Sequence, residues 1–225
     1  SAWTNRRNTA TIKAEYIRHR RLPLPVPGNG DLSSMSRNFY AVLSRMKYID
    51  RWALMRNTRE ENLCEHSYET AVLAHALATL TNRRFGGRVD AGRCVLLALY
   101  HDASEILTGD MPTPVKYYNP AIRDAYKQVE AVAADKLLSM LPEDLREEYR
   151  PLFGEAADME HRLVKAADKL SALIKCVEEE RMGNREFSKA RQATFEAVRA
   201  LGLPAADCFL DEFLPAYELT LDEQE

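Results

Sequence analysis

The sequence predicts an all-α fold in which one domain forms a single helical bundle. Apolar residues recur at the helical period of about 3.6 residues almost throughout from Ser34 onward. Capping and helix-breaking residues separate these apolar stretches, at the positions where helices begin and end. No convincing strand pattern and no internal repeat interrupts the series. The most regular apolar stripe comprises Leu163, Val164, Ala167, Leu170, Ile174 and Val177.

The composition is that of a soluble globular protein with a substantial core, since 46% of the 225 residues are hydrophobic and 29% are charged. A net charge of −3 gives no basic field that would attract a nucleic-acid polymer or an anionic membrane. No apolar run reaches transmembrane length, and we find no apolar segment typical of a signal peptide. The four cysteines form no Cys-x-x-Cys pair, so we expect reduced thiols and a cytoplasmic location.

Residues 1–33 differ from the rest and are interpreted as a basic N-terminal extension or linker. Cationic side chains outnumber acidic ones there, and a segment rich in proline and glycine follows at residues 23–30. Residues 34–225 are predicted to form the helical domain.

Taken in order, the first helix carries Phe39 to Met46 and ends at Ile49-Asp50-Arg51-Trp52, so that Arg51 and Trp52 close it. The second begins near Glu65 and continues to about Leu80. Asp90 is an N-cap for the third, which contains the apolar run 94–99 and is predicted to end at Gly109.

The prolines of residues 108–114 exclude regular structure from that segment. Asn119-Pro120 starts the next helix, with the proline at its first position. Leu141-Pro142 and Arg150-Pro151 bound a short helix, and Gly183-Asn184 ends the long apolar stripe. The remaining helices are separated by residues 201–204.

One short stretch, Tyr100-His101-Asp102-Ala103-Ser104-Glu105, follows a continuously apolar and helix-prone run. On a helix His101 and Glu105 share a face, and so do Asp102 and Glu105. Burying these carboxylates near a core is costly unless they are paired or bind a metal. The alternative is a surface helix end with solvated charges.

Two other residues carry a weaker signal of the same kind. Asp168 lies in the long apolar stripe, but it is flanked by Lys165 and Lys169, so all three can be solvated. His66 follows Glu65 at a helix start, where a histidine is often only a cap or a core residue.

The order His66, His101-Asp102 and Asp168 on separate helices resembles the HD-domain superfamily of metal-dependent phosphohydrolases. The resemblance implies an HD-domain helical bundle with a metal site between its central helices. It makes these four residues the ligands of one divalent cation. Two imidazoles and two carboxylates suit Co, Mn, Zn, Ni or Fe better than Ca.

The motifs are similar, more narrowly, to the bacterial family of YfbR-type 5'-deoxynucleotidases. The likeness covers nearly everything from about Ser36 to the C-terminus, and it leaves His75 as a core residue or a neighbour of the site. It implies hydrolysis of small-molecule 2'-deoxynucleoside 5'-monophosphates, and a homodimer. The motifs that carry it begin at Arg51-Trp52, Glu65-His66-Ser67, Tyr100-His101-Asp102, Leu107-Thr108-Gly109-Asp110, Val164-Lys165-Ala166-Ala167-Asp168 and Tyr217-Glu218.

Within that activity, Glu105 is a candidate to orient or deprotonate the attacking water or to protonate the leaving oxygen. Arg51 offers a planar fork for phosphate oxygens, with Lys116 as a further phosphate contact. Trp52 is a candidate to pack on the sugar and crowd a 2'-hydroxyl. Asp110 is a candidate contact for the sugar 3'-hydroxyl or the leaving group, and its role and that of Glu105 are interchangeable at this stage.

Two alternatives remain open on the sequence. One is another HD phosphohydrolase, acting on a cyclic nucleotide, an alarmone or a nucleoside triphosphate, although a triphosphate requires more cationic side chains than Arg51, Arg56 and Lys116 supply. The other is a non-catalytic helical module that holds a structural metal. Glu105 argues against the second alternative, because a structural metal site needs no extra carboxylate.

Overall fold

The computed structural model describes residues 37–116, 118–154 and 156–224. These residues form α-helices and short 3₁₀ helices, with no strand beyond one isolated antiparallel bridge between Asp50 and Asn62. The all-α prediction is confirmed. The α-helices are α1 (Phe39–Leu43), α2 (Leu63–Arg84), α3 (Ala91–Tyr100), α4 (Glu105–Thr108), α5 (Thr113–Lys116), α6 (Pro120–Ser139), α7 (Glu143–Tyr149), α8 (Met159–Arg181), α9 (Ser188–Arg199) and α10 (Pro204–Glu212). The 3₁₀ helices are Ser44–Tyr48, Arg150–Leu152, Arg185–Phe187, Leu214–Glu218 and Leu221–Gln224.

Three helices, α2, α3 and α8, pack against one another and form the centre of the bundle. Their inner faces bury a continuous apolar core to which α10 also contributes. Leu77, Leu97 and Leu170 are almost completely buried in it. Burying such a side chain stabilises the fold by roughly 1.5–3 kcal/mol, so this core holds in fixed positions the three helices that carry or directly precede the predicted ligands.

A second, smaller core lies where α1 and α6 meet the residues after α3. Phe39 and Ala103 are fully buried there together with apolar residues of α6. The ring of Phe39 meets those of Tyr149 and Phe153 edge to face. This cluster fixes Ala103, and with it the turn that contains Asp102.

The helix expected to run to Gly109 is in fact broken after Tyr100, which corrects the sequence prediction. Residues 101–104 form tight turns, in which the N–H of Ala103 bonds to Tyr100 O and that of Glu105 to Asp102 O. Gly109 ends the separate short helix α4, with a φ of 76° that favours glycine. The proline segment is likewise partly helical, because α5 begins at Thr113.

The first helical segment ends at Tyr48, so Arg51 and Trp52 lie beyond it in a loop and do not close a helix. Helix α2 begins two residues earlier than expected, where the side chain of Asn62 accepts hydrogen bonds from the N–H groups of Cys64 and Glu65. Elsewhere the predicted caps are confirmed: Asp90 starts α3, and Asn119 with Pro120 starts α6.

The loop between residue 50 and α2 is fastened to α8 by Glu179, which is buried. Its carboxylate accepts hydrogen bonds from the backbone N–H groups of Thr58 and Arg59 and from the ammonium of the buried Lys175. Because one carboxylate of α8 binds two backbone N–H groups of the loop, these hydrogen bonds hold the loop against the central helix.

The predicted extension at residues 1–33 lies outside the described residues. Within the described ranges, no helix combines the length and apolar character needed to cross a membrane.

Candidate active site

Four side chains from the three central helical segments meet at one point. His66 lies in the first turn of α2, His101 and Asp102 directly follow α3, and Asp168 lies midway along α8. Nε2 of His66 is 3.2 Å from Asp168 Oδ1 and 3.5 Å from Asp102 Oδ2. Nε2 of His101 is 3.1 Å from Asp102 Oδ2 and 4.0 Å from Asp168 Oδ1. The structure therefore brings all four predicted ligands together.

Each imidazole is oriented by a hydrogen bond at its other nitrogen. Ser171 Oγ donates to Glu69 Oε2 at 2.6 Å and lies 3.0 Å from His66 Nδ1, so Nδ1 is the donor to Ser171. His101 Nδ1 donates to the carbonyl oxygen of Ala98 at 2.7 Å. Both rings thus carry hydrogen on Nδ1 and, when neutral, turn the lone pair of Nε2 towards the carboxylates.

This donor set fits a divalent transition metal. The Nε2 atoms of His66 and His101 are buried and have no hydrogen-bond partner among the described residues. His66, His101 and Asp168 can each offer one ligand atom, and these three atoms all lie within 4.8 Å of one another. The Asp102 carboxylate lies beside both imidazoles. Mixed nitrogen and oxygen donors favour such metals; the role of these residues as ligands stays a prediction.

In the metal-free protein, protons take the place of a cation. Burial disfavours the charged imidazole of His101, but the adjacent Asp102 carboxylate outweighs it and raises the pKa of His101 to about 9. Burial also opposes the charge of Asp102 and of Asp168, yet the neighbouring imidazoles hold the pKa of both carboxyls below the usual range. Metal binding and protonation therefore compete at this cluster.

Glu105 begins α4 beside this cluster and is only 5% exposed. Its Oε2 atom has no hydrogen-bond partner in the part of the chain that the structure describes. Burial raises the pKa of Glu105 to about 9, and the charges of Asp102 and Asp110 act in the same direction. At neutral pH the metal-free protein therefore holds a proton on this carboxyl.

Asp110 lies in the irregular segment between α4 and α5. Burial raises its pKa, while the nearby Arg51 acts in the opposite direction. Its carboxylate faces the backbone N–H of Trp52. The structure thus places Asp110 beside both residues predicted to contact phosphate and sugar.

Arg51 bridges two carboxylates at the edge of the cluster. Nη1 donates to Asp102 Oδ2 and Nε to Glu61 Oε2, each at 3.2 Å. Its Nη2 atom has no acceptor among the described residues. One edge of the guanidinium is therefore held by the protein, and another donor is available to a phosphate oxygen.

Trp52 is half-buried and has a φ of 61°, a left-handed backbone conformation that is rare for a bulky side chain. Its ring packs against that of Phe187 with centroids 5.3 Å apart. The indole Nε1 donates to Glu61 Oε2 at 2.6 Å. Trp52 is therefore not an interior aromatic, and its strained backbone fits a functional position.

The structure differs from the expectations for Lys116 and His75. Lys116 is paired with Glu130 at 2.7 Å, and its ammonium lies 4.9 Å from the centre of the Tyr126 ring. A phosphate contact requires Lys116 to leave that partner. The interpretation of His75 as a core residue or a neighbour of the site is wrong, because His75 is exposed on the outer face of α2.

A family of known proteins matches most of this sequence. The sequence model of the family described as "5'-deoxynucleotidase YfbR-like" matches residues 38–217. The chain belongs to this family.

Relatives of the YfbR-like family support the assignment. The protein described as 5'-deoxynucleotidase YfbR of Escherichia coli (strain Crooks) is 52% identical over 191 residues, which cover 83% of this chain and 94% of that protein. The same identity and coverage hold for its counterpart in Escherichia coli O157:H7.

Solved structures show the same architecture. An HD-domain phosphohydrolase from Listeria innocua is 25% identical and superposes with a TM-score of 0.72, over 80% of this chain and 88% of its own. The cyanophage S-2L HD phosphohydrolase DatZ, solved with dA and one catalytic Zn²⁺ ion, has a TM-score of 0.58 over 80% of this chain and 96% of its own. At 19% identity it supports the fold alone.

Sequence reasoning missed three residues that form hydrogen bonds to side chains of the candidate site or to their partners: Glu61, Glu69 and Ser171. Ser171 follows Asp168 by three residues and Glu69 follows His66 by three, so each shares a helix face with a predicted ligand. That spacing was an available signal. Glu61 had no such signal, because its partners Arg51 and Trp52 precede it in an irregular loop.

Proposed function

We propose that this chain is a metal-dependent 5'-deoxynucleotidase that hydrolyses 2'-deoxynucleoside 5'-monophosphates to a deoxynucleoside and phosphate. One observation supports this proposal most directly. The Nε2 atoms of two buried imidazoles, which have no hydrogen-bond partner among the described residues, lie close to two carboxylates. Glu105, also buried and partly unpartnered, lies beside them. Membership of the YfbR-like family supports the substrate class.

His66, His101, Asp102 and Asp168 are the residues that would hold one divalent transition metal, with Co, Mn, Zn, Ni and Fe as the candidates. When bound, such a cation lowers the pKa of a bound water and polarises the phosphoryl group. Ser171 and Ala98 keep the two imidazoles in the tautomer that this binding requires.

The protein's own side chains supply the remaining steps. Water adds to phosphorus, the bond from phosphorus to the sugar 5'-oxygen breaks, and the 5'-oxygen takes up a proton. Glu105 is the candidate proton donor, because it is buried beside the four predicted ligands and its Oε2 atom has no hydrogen-bond partner among the described residues. The opposite assignment, with Glu105 positioning the water and Asp110 serving the leaving group, uses the same two carboxyls.

Arg51 and Trp52 are proposed to bind the two halves of the substrate. The guanidinium of Arg51 offers Nη2 to a phosphate oxygen while Asp102 and Glu61 hold its other donors. The indole of Trp52, adjacent in sequence, would then lie beside C2' of the sugar. A rigid indole leaves no room for a 2'-hydroxyl and offers it no acceptor, so discrimination arises by exclusion.

The direct test is phosphate release by the metal-stripped protein, with each candidate metal added back. The substrates are deoxy- and ribonucleoside monophosphates, triphosphates and cyclic nucleotides. We expect turnover of the deoxynucleoside monophosphates only with added metal. Preferential release from triphosphates or cyclic nucleotides would favour another HD phosphohydrolase, and no release with any metal would favour the non-catalytic alternative.

Sugar selectivity is tested at Trp52. We expect Trp52→Ala to lower activity and to bring the kcat/KM values for deoxy- and ribonucleoside monophosphates together, since packing on a small apolar group is worth roughly 1–3 kcal/mol. An unchanged ratio in the folded variant would remove Trp52 from the selectivity determinants.

We also propose that the enzyme is a cytoplasmic homodimer. The family resemblance supports the dimer, and the free state of Cys64, Cys94, Cys176 and Cys208 is compatible with a reducing compartment. Light scattering of the purified protein across a concentration series tests the dimer: a monomeric mass at every concentration contradicts it.

A further inference from the structure

A single carboxylate oxygen, Oε2 of Glu61, accepts hydrogen bonds from both residues proposed to bind substrate. Trp52 Nε1 donates to it at 2.6 Å and Arg51 Nε at 3.2 Å. Glu61 is only 6% exposed, so water competes little for these bonds. Hydrogen bonds to an ionised acceptor are roughly twice as strong as neutral ones, and this carboxylate therefore holds two side chains in a defined relation to each other.

The backbone places Glu61 with little freedom. The N–H of Arg51 bonds to Glu61 O at 2.9 Å, and the N–H of Leu63 bonds to Ile49 O at 3.0 Å. Together with the bridge between Asp50 and Asn62, these bonds close the base of the loop that carries Arg51 and Trp52. The acceptor thus lies at the rigid end of the loop, directly before α2.

The indole of Trp52 depends on this acceptor for its direction. Its backbone occupies the left-handed region, where a bulky residue persists only when its surroundings hold it. Phe187 contacts the ring at 5.3 Å between centroids but provides no directional bond. Of the described contacts to the side chain, the bond to Glu61 is the one that fixes the rotation of the indole.

Glu61 also decides which donors Arg51 can offer. With Nε on Glu61 and Nη1 on Asp102, Nη2 is left for substrate. Without the Glu61 carboxylate, Nε loses its acceptor, and of the described hydrogen bonds of the guanidinium only the one from Nη1 to Asp102 remains.

We propose that Glu61 is a positioning residue that sets the phosphate-binding fork of Arg51 and the sugar-contacting indole of Trp52 at once, and thereby the discrimination between deoxyribose and ribose. This inference rests on the roles proposed above for Arg51 and Trp52. It adds a physical cause for their geometry. The buried Glu61 carboxylate, held in place by the backbone bonds at the base of the loop, couples phosphate binding to sugar recognition.

The test variant is Glu61→Gln, which keeps size and shape but removes the charge. We expect the ratio of kcat/KM between a deoxynucleoside monophosphate and its ribonucleotide to fall by about tenfold, a change of the size that lost packing at a small group produces. Metal content should stay at the wild-type level, because Glu61 touches none of the four predicted ligands.

The matched control is Glu179→Gln. Glu179 is also a buried carboxylate that holds the same loop, through Thr58 and Arg59, but it contacts neither Arg51 nor Trp52. This variant should lose thermal stability. It should keep the wild-type ratio of kcat/KM between the deoxynucleotide and the ribonucleotide, called the sugar ratio below. If Glu61→Gln and Glu179→Gln change the ratio equally, Glu61 acts only through loop stability and the proposal is wrong.

A second readout does not depend on catalysis. The chain has two tryptophans, Trp3 and Trp52, so a Trp3→Phe background makes Trp52 the single indole emitter. In that background we expect Glu61→Gln to increase quenching of the emission by acrylamide at least twofold. Quenching and sugar ratio that both match the wild type in folded Glu61→Gln overturn the proposal.

A double-mutant cycle identifies the route of the effect. Trp52→Phe keeps an aromatic ring but removes the N–H that Glu61 accepts. In this background Glu61→Gln should change the sugar ratio less than twofold while still weakening phosphate binding through Arg51. A full tenfold change there would show that Glu61 does not act through the indole, and would overturn the coupling.

Two safeguards keep the test decisive. If Glu61→Gln does not fold, Glu61→Asp retains the charge but withdraws the oxygen by one methylene, and the same readouts should move in the same direction to a smaller extent. If the wild type releases no phosphate from either nucleotide, the proposed function fails, and the Trp52 emission still decides whether Glu61 positions the indole.

Discussion

At the scale of single residues, the centre of the site consists of two imidazoles and two carboxylates whose nitrogen and oxygen atoms face one another at 3.1–4.0 Å. The Nε2 atoms of two imidazoles and one oxygen of Glu105 are buried without hydrogen-bond partners in the described ranges. Such groups cost free energy in a folded protein unless a ligand completes them. Their chemistry was partly visible in the sequence, because His101, Asp102 and Glu105 are close together along the chain.

The first prediction concerns Glu105. Glu105→Gln should retain bound metal and lose roughly 10²–10⁴-fold in kcat, the usual contribution of a general acid or base. The amide cannot exchange a proton at neutral pH, although its size is the same. Steady-state kinetics and metal analysis on the same preparation measure both quantities; a loss below about tenfold would assign the proton transfer to Asp110 instead.

The second prediction concerns the bond that orients His66. Ser171→Ala leaves Nδ1 of His66 without its acceptor, and loss of such a supporting bond typically costs about 10–100-fold in metal affinity. Competition with a chromophoric chelator measures the affinity. Ser67→Ala is the matched control, because the Ser67 hydroxyl is also buried but has no hydrogen-bond partner in the described residues; equal losses in both variants would contradict the role of Ser171.

Some of these residue-level relations were beyond sequence analysis for a physical reason. Ser171 and His66 are 105 residues apart. The spacing of Ser171 from Asp168 indicates a shared helix face, but nothing in either local sequence pairs Ser171 with His66. Glu61 is ten residues from Arg51 but in a loop without a period that could be extrapolated. Side chains that complete a site from another helix become visible only when tertiary packing is known.

At the scale of helices, beginnings were predicted better than interruptions. Asp90 and Asn119 cap their helices through bonds to nearby N–H groups, so local sequence suffices. The break after Tyr100 was missed because the residues that follow are compatible with a helix. Its cause is tertiary: the turns at residues 101–104 bring Asp102 between Arg51 and the imidazoles while Ala103 packs into the smaller core.

The third prediction is made at this scale. Asn62→Ala removes the cap of α2 and should cost about 1 kcal/mol, which lowers Tm by roughly 2–4 °C for a domain of this size. Because His66 lies in the first turn of α2, metal affinity should fall as well. Thermal unfolding and metal titration test both effects.

Asn119→Ala provides the comparison for that prediction. It removes an equivalent cap, 2.8 Å from the N–H of Ile122, on a helix that carries none of the predicted ligands. This variant should lose a similar amount in Tm with unchanged metal affinity. A parallel loss of affinity in both variants would mean that Asn62 affects only global stability.

At the scale of the whole molecule, the fourth prediction links stability, pH and metal. In the metal-free protein His101 has a pKa raised from 6.5 to about 9 and Glu105 one raised from 4.5 to about 9. A group whose pKa is higher in the folded than in the unfolded protein contributes its full stability at a pH below its unfolded-state pKa. That contribution is lost as the pH rises through its folded-state pKa. The metal-free protein should therefore become less stable from pH 6.5 to 9. Each of the two groups lowers the free energy of unfolding by up to about 1.4 kcal/mol per pH unit while it keeps a proton that the unfolded chain has lost.

Urea unfolding at several pH values, with and without metal, measures this dependence. The metal-loaded protein should show a smaller loss, because metal binding already requires a neutral His101 imidazole and so removes the contribution of His101. Metal-free Glu105→Gln should show a shallower loss than metal-free wild type. A metal-free wild type whose stability does not change between pH 6.5 and 9 would contradict the protonation state assigned to the cluster.

The distribution of the predicted ligands along the chain has a consequence for synthesis of the protein. His66, His101 and Asp102 leave the ribosome well before Asp168, which lies on a helix that begins only at Met159. A nascent chain ending before that helix has at most three of the four donors and lacks much of the core that presents them. If these four residues bind the cation as proposed, we expect its capture to be a late event in biogenesis that is coupled to docking of α8.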